Sequence, residues 1–128
     1  MSFVQRISGA AFVLAAVIAS QPALAAGGWY LLIPPRSDHD ILKVLDTAPL
    51  PKWTQEGAYD SASECESVMN SLLTVERNSY SDAMRRYGRE KDSAKAAVIQ
   101  NAAENYNANA EGLAASRCIN INDPRLGK

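Results

Sequence analysis

Apolar residues change their spacing along this chain, and each change marks a different kind of segment. Ala10–Ala19 (AAFVLAAVIA) is continuously apolar. Arg6 precedes it, Ser20–Pro22 break it, and Ala23-Leu24-Ala25 follow with small residues at alternate positions. A positive start, a short apolar core and a small-residue pair predict a secretory signal peptide over residues 1–25, cleaved after Ala25 or, as second choice, after Ala26. The competing reading is an uncleaved membrane anchor. A run of about ten residues is half of the roughly 20 that a bilayer-spanning helix needs, so the signal peptide is favoured.

The second pattern is strand-like. Trp29–Ile33 is an aromatic and aliphatic run between Gly27-Gly28 and Pro34-Pro35, which predicts a short strand that the prolines end. Arg36–Lys52 is Pro-punctuated and reads as loop, with a turn of helix near Asp40–Val44. Trp53–Tyr59 reads as a second strand, weakened by Gly57.

From Tyr59 the period becomes helical. Ser61 followed by Glu64 fits a capping box, with Asp60 as the competing cap. Ala62, Cys65, Met69, Leu72, Tyr80, Met84 and Tyr87 then recur on one face. Gly88 is the expected break, although Asn78-Ser79-Tyr80-Ser81 is poor helix sequence and offers an earlier one. A second helix is expected over about Asp92 to Ser116, with Val98, Ile99, Ala102, Tyr106, Ala110 and Leu113 on one face and Gly112 as a weak point. Ile119–Ile121 reads as a short final strand, ended by Pro124.

Composition narrows the picture. The formal net charge of the 128-residue chain is −1, and removing residues 1–25 takes away one cation, Arg6, and no anion. A nearly neutral chain argues against nucleic acid as a partner, because phosphate neutralisation calls for a strongly basic domain. Residues 26–128 are the length of one small domain, which buries a limited share of its surface and gains from a covalent staple. Within it, residues 26–60 form the strand and loop region, 61–116 the helical part and 117–128 the tail.

Both cysteines, Cys65 and Cys118, fall in the exported part. Two distant cysteines and one histidine supply too few ligands for a structural metal site, and the close Cys-x-x-Cys spacing of a redox pair is missing. An oxidising compartment favours a disulfide between them. The crosslink demands a chain reversal midway between them, at about Gly88–Asp92. A single helix would hold the pair roughly 80 Å apart, whereas a disulfide needs Cα atoms within about 7 Å. The expected fold is therefore α+β and helix-dominated: an antiparallel helical hairpin closed by a disulfide, with a small two- or three-stranded sheet.

Gly28-Trp29-Tyr30-Leu31-Leu32, Ala48–Trp53, Tyr59-Asp60-Ser61-Ala62 leading to Cys65-Glu66, and Arg117-Cys118-Ile119 with Asp123-Pro124-Arg125-Leu126 together resemble a recurring type of small exported bacterial protein. The similarity touches both ends of the exported part and not its helical middle. It implies bacterial export and pairing of the two cysteines, and it implies no activity.

Candidate chemistry is sparse. His39, the one histidine, sits between Asp38 and Asp40, and neighbours at i±1 point different ways, so a solvated loop is the favoured reading. No nucleophile elbow is present. Glu64, Glu66 and Glu76 read as the solvent face of the first helix. Arg85, Arg86, Arg89, Lys91 and Lys95 cluster at the hairpin turn. They offer a surface contact for anionic headgroups, while the simpler reading is a solvated turn with weak ion pairs. Trp29, Tyr30 and Trp53 read as core.

Two functions follow as expectations. The first is a periplasmic or secreted non-enzymatic protein, structural or an interaction module. It needs no cofactor or metal, and it presents the hairpin to another envelope protein or to the membrane surface. It has no integral membrane segment once the signal is cleaved. The second is a small-ligand binder or weakly marked enzyme using Trp29, Trp53 and His39.

Overall fold

The computed structural model describes residues 28–127. The segment read as a signal peptide lies outside the described residues. Three strands, β1 (Trp29–Ile33), β2 (Thr54–Tyr59) and β3 (Arg117–Asn120), form one antiparallel sheet in the order β2-β1-β3. Two helices, α1 (Ala62–Arg89) and α2 (Ser93–Ala114), lie between β2 and β3 in the chain and pack as an antiparallel pair.

The first strand takes the centre of the sheet because its residues are apolar on both faces. Leu32 packs with Leu50, Trp53 and Ile119 on one side. Leu31 is completely buried and points to the other side, as the alternation of a strand requires. Opposite Leu31 on β3 stands Cys118, which is bonded to Cys65 of α1 at a Cα–Cα distance of 6.0 Å. The sheet is thus covered by the hairpin base on one face and by the Trp53 cluster on the other.

The first helix begins as its capping pattern predicts. The Ser61 hydroxyl accepts from the Glu64 N–H at 3.1 Å, and the Glu64 carboxylate reaches back to the N–H of Asp60 at 3.3 Å. That reach is one residue further than in the usual capping box. The helix runs unbroken through Asn78–Ser81, so the poor local propensity there is overridden. Gly88 stays inside the last turn, and the reversal occupies Glu90–Asp92. The Asp92 carboxylate starts α2 by accepting from Ala94 and Lys95 at 2.9 and 3.1 Å.

Several boundaries differ from expectation. Trp53 precedes β2 and closes a short 3-10 turn, Leu50–Lys52, as part of the core. The last strand starts at Arg117 rather than Ile119, and a second 3-10 turn follows at Pro124–Leu126. Asp40–Val44 is a tight turn rather than helix. There the Asp40 carbonyl accepts from Lys43, its carboxylate accepts from Leu42, and Arg36 and Val44 form an isolated bridge.

Packing in the hairpin is uneven. Cys65 and Ala83 are the buried residues of α1, while α2 buries Ala103, Ala108, Ala110, Gly112 and Leu113. Val98 (69% exposed), Met84 and Tyr87, all placed on apolar faces by their spacing, lie exposed. Most of the residues that the two helices bury are small instead. At 1.5 Å per residue, α1 continues about 20 Å beyond Glu76, a stretch in which Ala83 alone is buried. No described helix is long and apolar enough to cross a membrane.

Candidate functional site

The hairpin tip gathers the five cations that the sequence marks. Arg85, Arg86 and Arg89 lie in the last turns of α1, Lys91 in the reversal and Lys95 in the first turn of α2, all exposed. Three carboxylates accompany them, each with local work. Asp82 pairs with Arg85 at 3.1 Å, Glu90 accepts from the Asp92 N–H at 3.2 Å, and Asp92 caps α2. Among the described residues Arg86, Arg89, Lys91 and Lys95 form no ion pair. Arg86 and Arg89 sit favourably at the negative end of the α1 dipole, while Lys95 sits at the positive end of α2.

Beside this tip the two helices leave a groove of about 240 Å³. Val98, Ile99 and Tyr106 line it from α2, and Ala83, Asp82 and Arg86 from α1. Val98 and Tyr106 are among the exposed large apolar residues of the protein. Sequence periodicity places both on the apolar face of the second helix; the residues buried in the distal hairpin are instead Ala83 and Ala103, and Val98 and Tyr106 stay at the surface.

The Trp29, Trp53 and His39 region does not come together as one site. Trp53 is buried in the core, its indole N–H donates to the Ala48 carbonyl at 2.8 Å, and the Arg117 guanidinium lies 5.4 Å from its ring centre. A shallow cleft of about 400 Å³ borders it, walled by Asp46, Pro49, Arg117 and Arg125. His39 is exposed on the 36–46 loop, outside this cleft, and its N–H donates to the Ser37 hydroxyl at 3.2 Å. Arg125 is held by Asp123 at 2.8 and 3.0 Å, and the guanidinium draws the Asp123 carboxyl down to about 2. Among the described residues no three His, Cys, Asp or Glu side chains group as metal ligands.

A larger cleft, about 530 Å³, opens where β1 and β2 meet the base of the hairpin. Ile33, Pro34, Leu72 and Leu113 give it apolar walls, and Arg36, Glu56, Glu76 and Asn109 supply polar groups. Arg36 donates through Nη2 to Asn109 Oδ1 at 2.8 Å, and Asn109 Nδ2 donates to Glu76 Oε2 at 3.4 Å. Glu76 is therefore a half-buried wall of a cleft rather than part of a solvent face. Glu56 is the extra residue of a bulge: Gly57 pairs with Leu31 and Gln55 with Leu32, leaving Glu56 unmatched. These residues come from four separate segments, and no local spacing in the sequence announces them. Gly112 is the one available hint, since a Cβ there would lie 3.3 Å from Ile33 and 3.7 Å from the Arg36 guanidinium.

Comparison of the chain with protein-family models, with curated proteins and with solved structures finds no match in any of the three.

Proposed function

We propose that this protein is an exported, non-enzymatic interaction module that captures a protein partner of the bacterial envelope with the distal half of its helical hairpin. The observation that carries the reading is the exposure of Val98 and Tyr106 in the groove beside the basic tip. Helices in proteins draw most of their stability from burying an apolar face. Here the distal seam buries little, and apolar side chains stay in water next to unpaired cations. A patch of apolar residues rimmed by charge is the usual make-up of a protein-binding surface. Export rests on the 1–25 segment, and the disulfide fits an oxidising compartment.

The test replaces Val98 and Tyr106 together by Asp and Ser. The double variant is expected to keep its helical circular dichroism and its disulfide, because Val98 is 69% exposed and neither residue belongs to the buried core. It is also expected to lose co-purification of a stoichiometric envelope protein that the wild type retains. Retention of that protein by the variant contradicts the reading. So does wild-type binding to anionic-lipid vesicles alone, which would make the basic tip a membrane contact.

A further inference from the structure

We propose that the cleft at the hairpin base binds a small zwitterion, an α-amino acid with an apolar side chain. Its carboxylate lies on Arg36 and its ammonium between Glu76 and Glu56. This is a second site, remote from the tip groove and independent of the interaction reading.

The cleft, at about 530 Å³, falls within the ~300–1,000 Å³ typical of small-molecule sites. Its polar groups carry opposite charges that the fold keeps from neutralising each other. Asn109 stands between Arg36 and Glu76, accepting from the one at 2.8 Å and donating to the other at 3.4 Å. Arg36 forms no ion pair among the described residues, although its guanidinium is half-buried. An arginine has five N–H donors in a fork matched to a carboxylate, and Asn109 uses one nitrogen of it. A half-buried cation with donors to spare gains most from an anionic ligand.

That ligand must also carry a cation. Glu76 and Glu56 would repel a simple carboxylate, and together they outnumber Arg36. An ammonium answers them. One asparagine amide spans the gap between guanidinium and carboxylate, a reach comparable to that between the charged ends of an α-amino acid. Ile33, Leu72 and Leu113 then offer a dry wall to its side chain.

Two backbone features build the site. The bulge at Glu56 lets a carboxylate at the sheet edge line the cleft, a common use of edge bulges. Gly112 lets Ile33 and Arg36 lie against α2, where an added Cβ would crowd Ile33 at 3.3 Å and touch the Arg36 guanidinium at 3.7 Å.

The test titrates the isotope-labelled, disulfide-bonded protein with L-leucine and L-phenylalanine. Two controls follow: 4-methylpentanoate, which lacks the amine, and isoamylamine, which lacks the carboxylate. Saturable amide shifts at Arg36, Glu56 and Asn109 are expected with at least one amino acid, and about tenfold weaker binding with each control. Arg36→Gln should abolish binding, Glu56→Gln should weaken it about tenfold without touching the fold, and Glu66→Gln, outside the cleft, should change nothing. The proposal is overturned if neither amino acid gives saturable shifts, if 4-methylpentanoate binds as well as the amino acids, or if Glu56→Gln leaves affinity unchanged.

Discussion

Cys65, in the first turn of α1, and Cys118, on β3, are joined across 53 residues with their Cα atoms 6.0 Å apart. The bond ties the N-terminal end of the hairpin to the sheet and puts Cys118 directly opposite Leu31 at the centre. A loop of this length contributes about 4 kcal/mol in the chain-entropy account. Replacing both cysteines by Ala should lower unfolding free energy by about 2–5 kcal/mol in urea titration. A loss under about 1 kcal/mol would show that the hairpin and sheet hold together without the crosslink.

The start of α1 offers a smaller and cleaner test. Ser61→Ala removes the acceptor of the Glu64 N–H and should cost about 1 kcal/mol. In a domain of this size that lowers the melting temperature by roughly 4–8 °C. Glu64→Ala should cost less, because its carboxylate holds the Asp60 N–H in an exposed contact of 3.3 Å.

Gly88 and Gly112 should respond to Ala in opposite directions. At Gly88 an added Cβ meets nothing within 4 Å, and helix propensity favours Ala by up to about 1 kcal/mol. Gly88→Ala should therefore raise the melting temperature. At Gly112 the same Cβ would lie 3.3 Å from Ile33 Cγ2, so Ile33 must give way. Gly112→Ala should destabilise, and it should shift the amide resonances of Ile33 and Arg36 when Gly88→Ala does not.

Asp123 carries the pH prediction. Its carboxyl is drawn from 3.8 to about 2, chiefly by hydrogen bonds from the Arg125 side chain and backbone N–H. A depressed folded value means the contribution is fully present above the unfolded value and disappears as pH falls through the folded one. The Pro124–Leu126 turn should therefore stay docked at pH 5 and loosen between about pH 4 and 2. A carboxyl-carbon NMR titration checks this: a midpoint near 2 is expected, and one near 3.8 would show the pair to be open in solution.

Strong local signals made the fold readable from sequence. The Ser61–Glu64 cap, the continuous apolar strand Trp29–Ile33 and the two cysteines each act within a few residues or through one covalent rule. Together they yield the hairpin, the sheet and the staple. The helix faces were less readable: periodicity places Ala110 and Leu113 on the apolar face and both are buried, but buried Ala83 and Ala103 hide behind larger residues such as Val98 and Met84, which stay exposed. Hydrophobic periodicity weights size, whereas close helix approach selects smallness. The base cleft was not readable at all. Arg36 and Asn109 meet across 73 positions, and Asn109 and Glu76 across 33. Glu56 joins them through a bulge whose register depends on β1.

The central claim, that the distal hairpin is a partner-binding surface, is tested most directly by placing a photoreactive residue at position 98 in the protein expressed in its native cells. Position 66, exposed on α1 near its sheet end, serves as control. Irradiation should give one discrete adduct from position 98 and none from 66. Excess unlabelled wild-type protein should compete the adduct away, and the variant altered at Val98 and Tyr106 should not. No adduct at 98, or equal labelling at both positions, would contradict the account.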